Sequence, residues 1–170
     1  MHQAGDRILY SATDVSSFLA CPHLTSLETR SVLGGPDHPV FDDPGVEVLR
    51  ARGEEHEAEI LARYRAEGRT VERGKERSWE DGAGGWAACA AHTLGLMRDG
   101  ADVIHQAVLF DGRWLGLPDF LVRVDIPSEL GAWSYEVVDA KLARSAKATA
   151  LLQICFYSEM LEAVQGRRPE

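Results

Sequence analysis

The stretch Tyr135–Tyr157, YEVVDAKLARSAKATALLQICFY, decides how the chain is read. It opens as a strand, Tyr135 to Val138, and turns polar at Asp139 and Lys141. Strand side chains alternate with period two, so Asp139 and Lys141 share one face. A carboxylate and an ammonium at the end of an apolar strand are costly in a core and useful at a metal-dependent site. After a short basic connection, Ala148 to Val164 reads as a helix carrying Gln153 and Tyr157. These two lie four residues apart, on one helix face.

Working back from this stretch, Asp102 to Phe110 reads as a strand, and Asp111-Gly112 as a two-residue hairpin signal. Trp114 to Val124 is the returning strand, with Pro118-Asp119 inside it, and Ser134 to Lys141 is the third strand. Adjacent antiparallel strands can then bring Asp119 and Asp139 together. Two acids at one site repel unless a divalent cation or a proton lies between them. Mg²⁺ or Mn²⁺ on carboxylate oxygens, with waters retained, meets that need. Lys141 would orient a bound water or neutralise developing charge. An isolated D-x-K, by contrast, is most often a salt bridge at a strand end.

Further upstream the pattern is helical. Ser11 or Thr13 caps a helical region with Asp14 in its first turn, and Val15, Phe18, Leu19, Leu24 and Leu27 supply its apolar positions. Pro22 splits that region in two. Residues 1–12 read as a lead-in and 36–45 as a Pro/Asp-rich loop. Val46 to about Glu67 is a charged helix with apolar Val46, Leu49, Ile60, Leu61 and Tyr64. His56 lies within it, among Glu54, Glu55, Glu57 and Glu59. Beside Asp119 and Asp139 it becomes a candidate third metal ligand through a ring nitrogen. Gly68 stops this helix, a short strand follows at Thr70-Val71, residues 74–85 form a loop, and Trp86 to Met97 is an Ala-rich helix. Lys141, Arg144 and Lys147 form a basic patch that phosphates approaching a metal would meet, or else a solvated loop.

At 170 residues the chain makes one domain, 1–170, with its core at about 11–164. Hydrophobic content of 45% and charged content of 26% are those of a globular protein. No apolar run is long enough to cross a membrane, and a cytoplasmic location is the default expectation. The net charge of −9 argues weakly against a nucleic-acid coat protein and leaves room for a local basic groove. Cys21, Cys89 and Cys155 are far apart, so neither a zinc ribbon nor a disulfide framework is encoded. Cys89 and Cys155 read as buried apolar residues within helices. A helix after a core strand normally leads to a further strand, which marks the chain as a piece of a longer polypeptide, cut after the helix of Gln153 and Tyr157.

These residues together resemble a known family. Pro118-Asp119 followed by Asp139-Ala140-Lys141 reproduces the PD-(D/E)XK pattern. His56 after Gly53, and the QxxxY spacing of Gln153 and Tyr157, resemble the marks of its RecB-like branch. SATDVSSFLACPHLTSLE, from Ser11, looks like the start of RecB-like exonucleases that hold an iron–sulfur cluster. The likeness is greatest to bacterial RecB-like nucleases in which this domain precedes a larger C-terminal region. It implies an α/β, restriction-endonuclease-like core, a mixed central sheet flanked by helices. It also implies Mg²⁺ or Mn²⁺ on His56, Asp119, Asp139 and the Ala140 carbonyl. Lys141 is then the catalytic lysine, Gln153 and Tyr157 support the site and the strand, and Arg144 and Lys147 meet DNA. The implied reaction is exonucleolytic hydrolysis of DNA phosphodiester bonds, in repair, recombination or mobile-element processing. The implied partners are DNA and an attached or associated helicase. The alternative is a catalytically silent nuclease-like module for DNA binding or assembly. Cys21 occupies the N-terminal cluster position, but the three clustered C-terminal cysteines of cluster-bearing relatives are absent before Glu170. A cluster would need ligands beyond that residue.

Overall fold

A computed structural model describes residues 1–36, 43–76, 78–142 and 147–170. The described elements are mixed α/β, with two mixed four-stranded sheets flanked by helices. In chain order they are β1 (His2–Ala4), β2 (Arg7–Ser11), α1 (Ala12–Ala20), α2 (Pro22–Val32), α3 (Pro44–Ala66), β3 (Val71–Arg73), a 3₁₀ turn (Trp79–Asp81), α4 (Gly82–Arg98), β4 (Val103–His105), β5 (Leu109–Phe110), β6 (Trp114–Gly116), β7 (Phe120–Val124), β8 (Ser134–Val138) and α5 (Ala148–Gln165). Among the described residues no helix is long and apolar enough to cross a membrane.

The central sheet has the order β3-β4-β7-β8, parallel between β3 and β4 and antiparallel elsewhere. Its strands read as nearly continuous apolar runs because both faces are covered. Val103, Phe120 and Val122 point to one face, where Ile60, Leu61 and Tyr64 of α3 pack. Ile104, Leu121 and Tyr135 point to the other, against Met97 of α4 and Leu161 of α5. The consecutive valines of β8 divide accordingly, Val137 to the α4/α5 face and Val138 to the α3 face. The second sheet, β1-β2-β6-β5, closes its own core of Leu9, Trp86, Cys89, Val108 and Leu115.

Several expectations are corrected. The run Asp102–Phe110 is not one strand. It breaks after His105, where Gln106 takes φ = 52°, and resumes as β5 in the other sheet. The return run breaks at the matching place, Leu117-Pro118-Asp119, because proline has no N–H for a ladder. The hairpin tip is Gly112-Arg113, one residue later than expected; Asp111 closes it by accepting from the backbone N–H groups of Arg113 (2.8 Å) and Trp114 (2.6 Å). The lead-in is the β1–β2 hairpin, and β2 inserts parallel to β6.

The helix expectations fare differently at the two ends of the chain. Ser11 and Asp14 form a capping box on α1, and Pro22 starts α2. Yet Phe18, Leu19, Leu24, Leu27, Val46 and Leu49 are exposed, so their helical spacing does not report core contact here. The C-terminal end is tied more closely. Gln165 is wholly buried and mimics a strand partner to Tyr135, accepting from its N–H (2.8 Å) and donating to its carbonyl (3.1 Å). Gly166 then ends α5 at φ = 65°, the left-handed conformation suited to glycine.

Candidate active site

The site lies where the central sheet's strands stop. The β7–β8 register pairs Phe120 with Val138, and one further step sets Asp119 opposite Asp139. Both acids are held by backbone geometry before any ligand is considered. Asp119 Oδ2 accepts the Ala140 N–H at 2.7 Å, and the Asp119 carbonyl accepts the Gln106 N–H at 2.7 Å. Asp139 is 1% exposed at its side chain, and Lys141 Nζ lies 2.6 Å from its Oδ2. That approach is off the direction of a hydrogen bond, so this buried oxygen is paired by charge but has no directed donor.

Burial, with the nearby charges of Asp139 and Glu57, pushes the Asp119 carboxyl up to about 7, against the pull of the Ala140 N–H. On α5, Gln153 Nε2 donates to Tyr157 Oη at 2.9 Å. Tyr157 is buried; burial raises its hydroxyl above the usual range, opposed by the Gln153 hydrogen bond. Asp139, Asp119 and Lys141 also act on it electrostatically, so the tyrosine lies within range of their charges. Asp119, Asp139, Ala140 and Lys141 are brought together at the strand ends, and Gln153 and Tyr157 pair with each other on α5.

Not every expected residue joins them. His56 lies on α3 with its side chain 37% exposed and Nδ1 3.8 Å from Glu59 Oε2. Among the described residues, no three His, Cys, Asp or Glu side chains are gathered closely enough to hold a metal ion, so His56 is not drawn into a ligand set with the two aspartates. Lys147 is exposed at the start of α5, and Arg144 lies outside the described residues. Cys21 is exposed at the α1–α2 junction; Cys89 is buried as expected, but Cys155 is exposed, since its position on α5 faces away from the sheet.

Three residues of this region escape a reading by motif: Glu57, His105 and Gln106. Glu57 is the α3 carboxylate whose charge reaches Asp119. It pairs through Oε1 with His105 Nε2 and accepts from Gln106 Nε2 at 3.2 Å. Helix phase alone does not single it out: one turn before Ile60 and Leu61, His56 and Glu57 are both half-buried, and only the contacts with His105 and Gln106 set Glu57 apart. His56 is a step of about 100° around from it.

The donor set fits a hard cation. Two carboxylates face each other across adjacent strand ends, Asp139 is ion-paired with Lys141 and keeps a buried oxygen without a directed donor, and carboxylate oxygens are the ligands Mg²⁺ and Mn²⁺ prefer. Comparison with protein-family models, with curated proteins and with solved structures finds no match.

Proposed function

We propose that this chain is a metal-dependent nuclease domain of PD-(D/E)XK type, RecB-like, built on a restriction-endonuclease-like core and hydrolysing DNA phosphodiester bonds. The observation that carries the reading is the Asp119–Asp139 pair at adjacent strand ends, Asp139 with its side chain buried and Asp119 half-buried, with Lys141 on Asp139. A structural salt bridge needs one acid and one base; a second, half-buried acid, held by the Ala140 N–H, adds repulsion that a cation would relieve.

Asp119, Asp139 and the Ala140 carbonyl would hold Mg²⁺ or Mn²⁺. Two carboxylates completed by waters are a usual complement for Mg²⁺. When bound, the cation lowers the pKa of a coordinated water and stabilises charge on a phosphoryl oxygen. Lys141, with its side chain 43% exposed, reaches from Asp139 toward solvent and so can meet an incoming phosphate. Tyr157 and Gln153 brace the wall of the site, and exposed Lys147 adds positive charge at the start of α5.

The test is cleavage of linear single-stranded DNA by the full-length chain with Mn²⁺. Asp139→Ala and Lys141→Ala are each expected to cut the rate by at least about 10²–10³-fold while leaving the circular dichroism spectrum unchanged. Wild type that binds DNA without cutting it would identify a silent binding module instead. Variants as active as wild type would place the chemistry elsewhere.

A further inference from the structure

The second sheet carries a cluster that the cation site does not use. Tyr10 and Trp114 are register partners of the parallel β2–β6 pair. Their neighbours Leu9 and Leu115 point into the core with Trp86 and Cys89 of α4, so strand alternation turns the two aromatic rings to the opposite face. There the ring centroids lie 5.2 Å apart, and Phe156 of α5 meets Trp114 edge-on at 5.7 Å. The Arg113 guanidinium sits over both Tyr10 (5.3 Å) and Trp114 (5.8 Å). The three aromatic residues are half-buried and Arg113 is exposed, so the cluster borders solvent.

Two hollows meet at this cluster. One, of about 710 Å³, is mainly apolar and is bounded by Val15, Trp114, Leu152 and Phe156. Its acids are Asp111, which binds the N–H groups of Arg113 and Trp114, and the exposed Glu159. The other, of about 470 Å³, is bounded by Arg7, Tyr10 and Arg113, two arginines against the single acid Asp6. In a chain of net charge −9, that local excess of positive charge complements a polyanion. An apolar aromatic hollow beside a basic one matches the two halves of a nucleotide, a flat base and a phosphate. From Trp114 the chain runs along β6 and through Leu117 and Pro118 to Asp119, a span of at most about 18 Å.

We propose that Tyr10, Trp114 and Phe156 form a stacking platform for unpaired nucleobases of a single DNA strand, with Arg7 and Arg113 on its phosphates. This rests on the nuclease reading above and lays the substrate strand across the second sheet, outside the cation site. Every base has a π face, so the platform tolerates any sequence. A duplex keeps its bases stacked on one another, so the platform favours a single strand.

The experiment measures binding of the full-length chain, in EDTA, to fluorescently labelled oligothymidylate and to an abasic strand of the same length, by anisotropy at several salt concentrations. Trp114→Leu and Tyr10→Leu keep apolar bulk and remove the ring. Each is expected to weaken oligothymidylate binding by about five- to a hundredfold and to leave abasic binding nearly unchanged. Trp114→Phe, which keeps a ring, should retain most of the affinity. Arg113→Ala should weaken both strands alike and lower the slope of log affinity against log salt by about 0.7, a slope that Trp114→Leu leaves alone. A purely structural aromatic pair would instead lower the melting temperature and spare binding. Wild-type affinity in both leucine variants, or equal losses on the two strands, overturns the platform. If one leucine variant fails to fold, the other decides. Cleavage of the same oligothymidylate with Mn²⁺ separates the two readings. Wild type that prefers it to the abasic strand without cutting it overturns the nuclease and keeps the platform. Wild type that cuts it, with leucine variants that bind it as tightly, overturns the platform alone.

Discussion

Asp119 carries the heaviest electrostatic load in the site. Burial and two neighbouring carboxylates raise it from 3.8 to about 7, so between those values the folded chain keeps a proton that the unfolded chain has released. The acid therefore costs the fold nothing below about pH 4, and stability falls as pH rises, by up to about 4 kcal/mol above pH 7 in the absence of a cation. Asp119→Asn removes this charge and keeps an acceptor for the Ala140 N–H. In EDTA at pH 8 it is expected to stabilise the chain by on the order of 2 kcal/mol, and at pH 4.5 by far less. Equal melting shifts at the two pH values would contradict the assignment. Residue-scale reading of the sequence goes some distance here: Asp139 and Lys141 are paired as expected, but β8 ends at Val138 rather than at Lys141, so the segment after the strand and not strand alternation brings them together. It stops at Glu57, because choosing between adjacent helix residues requires knowing which side chains of the sheet they meet.

At the scale of elements, two joints hold the site's walls. The first is the end of β3. Gly74 donates to the His105 carbonyl at 2.8 Å, and a Cβ on it would sit 2.2 Å from the Gln106 carbonyl oxygen. That neighbour is backbone and cannot swing aside. Gly74→Ala is expected to cost about 1–3 kcal/mol and to lower Mn²⁺ affinity with it, which melts and titrations on the same samples would reveal. The second is Gln165, which ties the end of α5 to β8. Gln165→Ala strands the buried Tyr135 N–H and should cost about 2–3 kcal/mol in denaturant unfolding. A loss under about 0.5 kcal/mol would show that the side chain is not the tie. Because α5 also carries Gln153 and Tyr157, that variant should lose cleavage activity too. The helices and the hairpin were legible as elements, since their periodicity and caps are local signals. The break in each arm of the hairpin was not, because a strand's partner is chosen by distant segments: β2 beside β6, and β3 beside β4.

Across the whole molecule, the site stands where both arms of the β5–β6 hairpin region cross from one sheet to the other, with α3 on one face and α5 on the other. A cation joining Asp119 and Asp139 would thus link strands from the middle and edge of the central sheet and stabilise the whole fold by mass action. Mn²⁺ at a hundred times its dissociation constant is expected to add about 2.7 kcal/mol, seen as a rise in melting temperature on the order of 5–10 °C. Asp139→Ala should abolish that rise. An equal rise in the variant would assign the stabilisation to another site.

By itself the sequence determined the order of the main helices and strands and the antiparallel approach of Asp119 to Asp139. Each follows from a period of 2 or 3.6 residues, from a cap, or from a turn, and so from neighbours along the chain. Only the tertiary structure decided that there are two sheets, that Phe18, Leu19, Leu24 and Leu27 of α1 and α2 stay exposed, and that Glu57 rather than His56 meets His105 and Gln106. Those outcomes depend on which surfaces meet, and burial of a face is settled only when the element that covers it is in place.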